Sequence, residues 1–259
     1  MTDGTDRVVL PSTSLAQDAA YRGMADVAAA WRDRVDDYRV VGGHMVSVHV
    51  ARFPVDVPVR GTLDTDVGME ARLLATGDPV QELRELGYTL VEGNRMSRSV
   101  NGHDAVIDIL IPATGTRARH NRKVGDLFVD EAPALRYAAV AARPAYLPQL
   151  EVRLTTGAML EYVSPIPDLV AAVCLKVAAF ESRGAGKDAF DVWRLLEVAY
   201  AAGMSVDGWP AKMPTATRTA ELLRRDFLNP AGGGVLAATD VPARQARIRL
   251  LTQSLVGRS

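Results

Sequence analysis

Two aspartates separated by one residue are the first group in this sequence that could do chemistry. They lie in the run Arg60-Gly-Thr-Leu-Asp64-Thr-Asp66-Val. On a strand, side chains two residues apart share a face and stand roughly 6–7 Å apart. Two such carboxylates repel each other, and a divalent cation between them removes the cost. Oxygen-only ligands suit Mg²⁺, so the pair predicts a magnesium site; the alternative is a solvent-exposed acidic edge strand.

A third carboxylate stands inside an apolar run, Ala105-Val-Ile-Asp108-Ile-Leu-Ile111. A charged side chain in such a run needs a partner, because burying an unpaired charge is strongly unfavourable. Asp108 could simply hydrogen-bond a backbone N–H at a strand end. Beside Asp64 and Asp66 it fits better as a third metal ligand, or as the base that receives a proton from an attacking hydroxyl. Three strand-borne carboxylates favour metal-assisted phosphoryl transfer.

A double glycine, Gly42-Gly43, follows a predicted strand over 38–41 and precedes a predicted helix over 44–52. Small residues at such a turn let the backbone approach a ligand closely. The free N–H groups at the start of the helix can then bind an anion such as a phosphate. The alternative is a tight strand-to-helix turn with no ligand.

A second charged group lies in the C-terminal part of the chain. Lys176 interrupts an apolar helical stretch, and Arg183 follows seven residues later on the same predicted face. A lysine in such a stretch needs an anionic partner, which a triphosphate would supply. The alternative is that its ammonium group reaches solvent. Asp188 and Asp191 share a face of the next predicted helix. They either orient Lys176 or Arg183 or cap the helix start, and we favour Asp191 as the functional acid.

These segments together resemble a known superfamily. The Gly42-Gly43 turn, the Asp64-x-Asp66 pair and the later Asp108 resemble the nucleotidyltransferase superfamily. The form Arg60-x-Thr62-x-Asp64-x-Asp66 looks like the AbiEii/MenT group of nucleotidyltransferase toxins. The block Lys176…Arg183…Lys187-Asp188-x-x-Asp191 is similar to that group as well, so the resemblance covers residues 38–196.

The resemblance implies transfer of a nucleoside monophosphate from an NTP to a hydroxyl, with Mg²⁺ as cofactor. It implies a tRNA 3′ end as acceptor and a toxin held by an antitoxin protein. The implied catalytic residues are Asp64, Asp66, Asp108, Lys176 and Asp191, the first three being the metal ligands. The implied nucleotide-binding residues are Gly42, Gly43, Arg60, Thr62, Lys176, Arg183 and Lys187. Two alternatives stay open: a small-molecule or protein hydroxyl as acceptor, and a non-enzymatic binding module.

The elements that must position these residues are predicted from periodicity and turn signals. An amphipathic helix is expected over 14–37, strands over 62–69, 88–92 and 105–111, and a hairpin over 151–163 that turns near Gly157. On the strand over 62–69, the Thr62 hydroxyl would share the face of the carboxylates. Helices are expected over 168–182 and 188–201. The chain is thus predicted to be α+β, a mixed sheet with flanking helices over 1–163, followed by a helical domain over 164–259.

Composition excludes several classes of protein. The chain has 259 residues, a net charge of −1 and one cysteine, which excludes an internal disulfide, a cysteine-rich zinc site and a globally basic nucleic-acid coat. No apolar run is long enough to span a bilayer, and we expect a cytoplasmic protein without a membrane partner. Charge is uneven: residues 208–259 hold eight Lys/Arg and three acids. Arg117, Arg119, Arg122 and Lys123 form a cluster that is either a solvated face or an RNA contact.

Overall fold

The computed structural model describes residues 6–115, 118–139 and 145–258. The chain divides into two compact units. Unit 1 runs through residue 51 and from 59 to 168, and unit 2 comprises 52–58 and the segment from 169 onward. The sequence-based boundary at 163/164 therefore lies five residues before the point where the chain leaves unit 1.

Unit 1 holds all the strands of the described chain. The elements, in chain order, are β1 (Arg7–Pro11), α1 (Leu15–Ala30), β2 (Tyr38–Val40), α2 (Gly42–Arg52), β3 (Asp64–Met69), α3 (Ala71–Leu74), α4 (Asp78–Glu85), β4 (Thr89–Glu92), β5 (Arg95–Val100), β6 (His103–Pro112), β7 (Arg122–Val124), β8 (Leu127–Ala132), α5 (Leu135–Ala139), β9 (Gln149–Arg153) and β10 (Met159–Val163). A short 3₁₀ turn, Arg32–Arg34, follows α1.

The larger sheet has the strand order β2-β3-β6-β5-β4, and β8 joins the end of β6 and pairs in turn with β7. The pairing is mixed: β3 and β8 run parallel to β6, whereas β5 is antiparallel to it. A smaller sheet has the order β1-β9-β10, with β1 parallel to β9. The α+β prediction with a mixed sheet and flanking helices is therefore confirmed.

Helix α1 packs on the face of the larger sheet that carries Thr65. The helix begins at Ser14, whose side chain accepts the Gln17 N–H and so satisfies one free amide of the first turn. Thr65 Oγ1 donates to the Ala20 carbonyl at 3.1 Å. A Cβ on Gly23 would lie 3.2 Å from that same hydroxyl, so glycine lets the helix approach the strands closely.

Several strands were not predicted from the sequence: β1, β5, β7 and β8. β5 lacks an alternation of apolar residues because two of its positions are arginines. Arg95 contacts Asp108 and Arg98 contacts Asp26. In β8 the inward positions are Leu127, Val129 and Glu131, and the charged third member breaks the period-two pattern. The predicted helix over 14–37 ends early, at Ala30, and continues as the 3₁₀ turn.

Unit 2 is helical, as predicted for the C-terminal part of the chain. Its helices are α6 (Leu169–Arg183), α7 (Gly186–Ala201), α8 (Pro214–Leu223), α9 (Gly233–Ala238) and α10 (Pro242–Val256). A 3₁₀ turn over Val206–Gly208 precedes α8, and a π-helical turn over Arg224–Leu228 follows it. Among the described residues, none of the helices has the combined length and apolarity needed to cross a membrane.

A buried carboxylate joins β8 to the loop before β7. The Glu131 side chain is fully buried and accepts the Arg119 N–H at 3.1 Å, Arg122 Nη1 at 3.1 Å and Thr114 Oγ1 at 3.2 Å. Burial alone would raise the pKa of this carboxyl, but these hydrogen bonds outweigh it and hold the pKa below its ordinary value of 4.5. The ionised form is therefore the one that stabilises this part of unit 1.

We expect Glu131→Gln to lower the free energy of unfolding by about 1–3 kcal/mol at neutral pH, because it weakens a buried charge-assisted network. Since the folded-state pKa is depressed, the stabilisation from Glu131 is present above about pH 4.5 and is lost as the pH falls through the folded-state pKa. Urea titrations at several pH values should show a shallower acid-induced loss in Glu131→Gln than in wild type. Glu85→Gln, at an exposed position of α4, is the control; equal slopes for all three proteins would contradict the prediction.

Candidate functional site

Three aspartates converge on the larger sheet because β3 and β6 pair in parallel. Asp66 stands directly opposite Asp108 in the register, and Asp64 opposes Val106. Side chains alternate across a sheet, so Asp64, Asp66 and Asp108 share the face opposite to Thr65 and α1. One oxygen from each carboxylate lies within 4.8 Å of the others. The structure thus brings together the three residues that the sequence predicted as metal ligands.

These three carboxylates could hold a metal ion. Asp108 is 9% exposed, and Asp64 and Asp66 are half-buried. Like charges at this separation repel by about 3–4 kcal/mol per pair at an effective dielectric constant of 20, so the cluster needs positive charge nearby. All the donor atoms are carboxylate oxygens, the ligand class that Mg²⁺ prefers.

The double glycine lies against this cluster. Gly42 opens α2 with a φ of +63°, and a Cβ at that position would overlap the Asp66 carboxylate. A Cβ on Gly43 would stand 2.6 Å from Thr62 Oγ1. The predicted helix over 44–52 begins two residues earlier in the structure, so residues 42 and 43 belong to the helix and do not form a separate turn before it. The bare backbone at the start of α2 thus forms one wall of the site.

Thr62 lies beside the cluster but not on the strand. The predicted strand over 62–69 begins at Asp64, so the expectation that strand alternation orients Thr62 is wrong. Its hydroxyl nevertheless donates to Asp64 Oδ1 at 3.1 Å, and the residue is 5% exposed. Thr62 thus orients one of the three carboxylates. Arg60, two residues earlier, is half-buried.

Arg95 is the residue at this site that sequence reasoning missed. It stands opposite Asp108 in the antiparallel pair of β5 and β6. Its Nε donates to Asp108 Oδ1 at 2.9 Å and its Nη2 to Oδ2 at 2.8 Å. The sequence does contain a signal for this contact, since Arg95 and Asp108 lie on either side of a turn at Gly102. The signal can be used only if the β5–β6 hairpin is predicted, and it was not.

Two histidines of α2 are buried behind the site. Burial lowers the pKa of His44 to about 4, although the nearby Asp64 charge opposes that shift. His44 is therefore neutral at pH 7, and its ring packs 5.0 Å from that of Tyr21. His49 Nε2 lies 2.9 Å from the Pro167 carbonyl.

The charged residues predicted for the C-terminal part form a cluster within unit 2. Lys176 Nζ lies 2.8 Å from Asp191 Oδ2 and 3.8 Å from Asp188 Oδ1. Arg183 makes a bidentate contact with Asp188 at 2.9 and 3.1 Å, so that carboxylate binds cations rather than capping α7. Arg194, which the sequence reasoning did not single out, lies 3.3 Å from Asp191 and is also buried.

Exposure separates the members of this second group. Lys176, Asp188 and Asp191 are buried, with Lys176 at 6%. Arg183 and Lys187 are exposed. The two exposed cations are therefore the members of the group most accessible to a ligand from solvent.

Comparison with known proteins gives limited similarity. No protein-family model matches the sequence, and no curated protein matches it either. Among solved structures, the antibiotic-resistance factor ANT(2'')-Ia in solution is similar with a TM-score of 0.42 and 10% identity, over 80% of this chain and 92% of that chain. ANT(2'')-Ia in complex with adenylyl-2''-tobramycin has a TM-score of 0.31 and 14% identity, over 90% and 97%.

We expect Gly42→Ala to destabilise the protein and displace Asp66, because the added methyl group overlaps the carboxylate and the left-handed backbone costs about 1–2 kcal/mol for an L-residue. Gly157→Ala is the matched control: its φ is +83°, but nothing lies within 4 Å of the added Cβ. Thermal melts of both variants separate the clash from the backbone cost. A melting temperature no lower in Gly42→Ala than in Gly157→Ala would contradict the clash.

Lys176→Met should lower the free energy of unfolding by about 3–5 kcal/mol, because it leaves Asp191 buried without one of its cations. Lys176→Arg keeps the positive charge, so its free energy of unfolding should fall by less than that of Lys176→Met. Urea unfolding of the three proteins measures the effect, and equal midpoints and slopes would show that the buried pair contributes nothing.

Proposed function

We propose that this protein is a nucleotidyltransferase that moves a nucleoside monophosphate from an NTP to a hydroxyl. The observation that carries the proposal is the convergence of Asp64, Asp66 and Asp108 beside the bare backbone of Gly42. Three clustered carboxylates are costly without a cation. A glycine-lined helix start next to them suits the phosphates of a nucleotide bound with that cation.

The residues present fit Mg²⁺. The donor set is all oxygen, and the Asp66 carboxylate lies where a side chain at position 42 would otherwise stand, so glycine at that position lets this ligand reach the cluster. Asp64 and Asp66 would hold the ion, and Asp108 is either a third ligand or the general base. When bound, Mg²⁺ would offset negative charge on the phosphates in the transition state.

In the reaction, the acceptor hydroxyl oxygen forms a bond to the α-phosphorus of the NTP. The bond from that phosphorus to the oxygen bridging the β-phosphate breaks, and pyrophosphate leaves with the electron pair. The hydroxyl proton passes to a base, and Asp108 is the candidate in this chain if it is not a ligand. The N–H groups at the start of α2 would bind the phosphates. Thr62 would keep the Asp64 carboxylate oriented.

Other residues enter this proposal through the resemblance. Lys176 and Arg183 would neutralise the triphosphate, with Asp191 positioning Lys176, to which it is already paired. Arg60 and Lys187 would add nucleotide contacts. The exposure of Arg183 and Lys187 supports a ligand-binding role for them.

By the same resemblance, the acceptor would be the 3′ end of tRNA, and an antitoxin protein would hold the enzyme inactive. One observation favours a second candidate, a small-molecule or protein hydroxyl. In the basic cluster, Arg122 is paired with the buried Glu131 and Arg119 lies 4.0 Å from it. Lys123 has no such role in that network, and Arg117 lies outside the described residues. The cluster thus offers less free positive charge to RNA than its sequence suggests.

We expect Asp64→Asn and Asp66→Asn to abolish label transfer in an assay with each α-labelled NTP, Mg²⁺ and total RNA, because each removes a ligand charge. Neither should destabilise the metal-free fold, since removing one of several like charges relieves repulsion of up to ~4 kcal/mol. Asp126→Asn, at an exposed position in the β7–β8 turn, is the matched control and should keep wild-type transfer. Labelled tRNA supports the tRNA acceptor, whereas label on the protein itself, or on a small molecule or protein supplied in place of the RNA, supports the second candidate. No transfer by wild type to any acceptor would favour a binding module.

A further inference from the structure

We propose that Arg95 competes with the metal ion for Asp108, so that free divalent cations bind weakly until the arginine is displaced. This inference deepens the proposed function and rests on it. The observation is that both oxygens of the Asp108 carboxylate are engaged: one accepts Arg95 Nε and the other accepts Nη2, at 2.9 and 2.8 Å. Each oxygen keeps a further lone pair, but the bound guanidinium offsets the negative charge that would attract a metal ion.

The contact is built into the sheet. Asp66, Asp108 and Arg95 stand opposite one another on β3, β6 and β5 and so form a row across three neighbouring strands. The Asp108 side chain is 13% exposed, whereas that of Arg95 is 47% exposed. The carboxylate is thus fixed in the site, and the guanidinium can leave it toward solvent without opening a cavity. Arg95 is therefore the mobile partner of this pair.

Charge balance gives the reason for the competition. The three carboxylates form an acidic cluster, and the Arg95 guanidinium offsets the charge of one of them, Asp108. Its bond to Asp108, followed by the charges of Asp108, Asp64 and Glu92, raises the pKa of Arg95 further above its ordinary value. The guanidinium is thus bound to the cluster as a cation. A metal ion can bind Asp108 fully only after two charge-assisted hydrogen bonds from Arg95 have broken. The free energy needed to break them lowers the affinity of the site for a divalent cation alone.

A nucleotide changes that balance. Its triphosphate supplies oxygen ligands to the ion and a new anionic partner for the released guanidinium, whose planar fork suits phosphate as well as carboxylate. The site would therefore bind the metal–nucleotide complex in preference to the bare ion.

The test is a titration with Mn²⁺ alone, a substitute for Mg²⁺ whose free form is read by electron paramagnetic resonance. We expect Arg95→Ala to bind Mn²⁺ about tenfold more tightly than wild type. Arg95→Lys keeps the charge but loses the fork, so it should show part of that gain. Arg72→Ala removes a positive charge from an exposed position of α3 and should leave the affinity unchanged.

A double-mutant cycle assigns the gain to Asp108. If Arg95 blocks that carboxylate, the gain from Arg95→Ala should vanish in the Asp108→Asn background, whereas a purely long-range charge effect would persist there. Circular dichroism and thermal melts of each variant verify folding. Equal affinities of wild type and Arg95→Ala, or a gain that persists in Asp108→Asn, would overturn this proposal alone. Absence of Mn²⁺ binding by wild type and Arg95→Ala, with and without nucleotide, would overturn the metal site and the proposed function together.

Discussion

Repulsion among three carboxylates is the constraint around which unit 1 is arranged. The parallel register of β3 and β6 sets Asp66 opposite Asp108, and nothing in the pairing itself relieves the charge. Arg95 on β5 offsets the charge of Asp108, and the Thr62 hydroxyl donates a hydrogen bond to Asp64. The acidic cluster is therefore stabilised in part by the strand next to it.

The two faces of the larger sheet differ in role: one packs against α1, and the other carries the three aspartates. On one face, α1 approaches so closely that a glycine and a threonine hydroxyl meet at the crossing. On the other, Gly42 and Gly68 share a requirement for the absence of a side chain, the first against Asp66 and the second against Leu135. Small residues on both faces thus hold flanking elements near the strands. The rigidity that positions the carboxylates comes from that close packing.

Local patterns in the sequence were sufficient to predict the three aspartates, the double glycine and the two-part architecture. The two-residue spacing of Asp64 and Asp66 and the apolar run around Asp108 can each be recognised within a short segment of sequence. Arg95 escaped prediction because its partner is chosen by the register between strands, which no single segment reveals. Arg194 and Glu131 escaped for a related reason. Each is a charged residue in an interior position, where the sequence suggests exposure and only the assembled partners explain burial.

The position of the two contacts of Asp108 along the chain bears on the order in which they form. Its contact with Arg95 joins residues 13 positions apart in a hairpin, whereas its contact with Asp66 closes the longer loop between 66 and 108. By loop-closure entropy the shorter contact is favoured by about 1 kcal/mol, and local contacts generally form first in folding. Asp108 is then already neutralised when the strand that carries Asp64 and Asp66 pairs beside it. We therefore expect the arginine to lower an electrostatic barrier in assembly of the sheet, independent of any ligand that the finished protein binds.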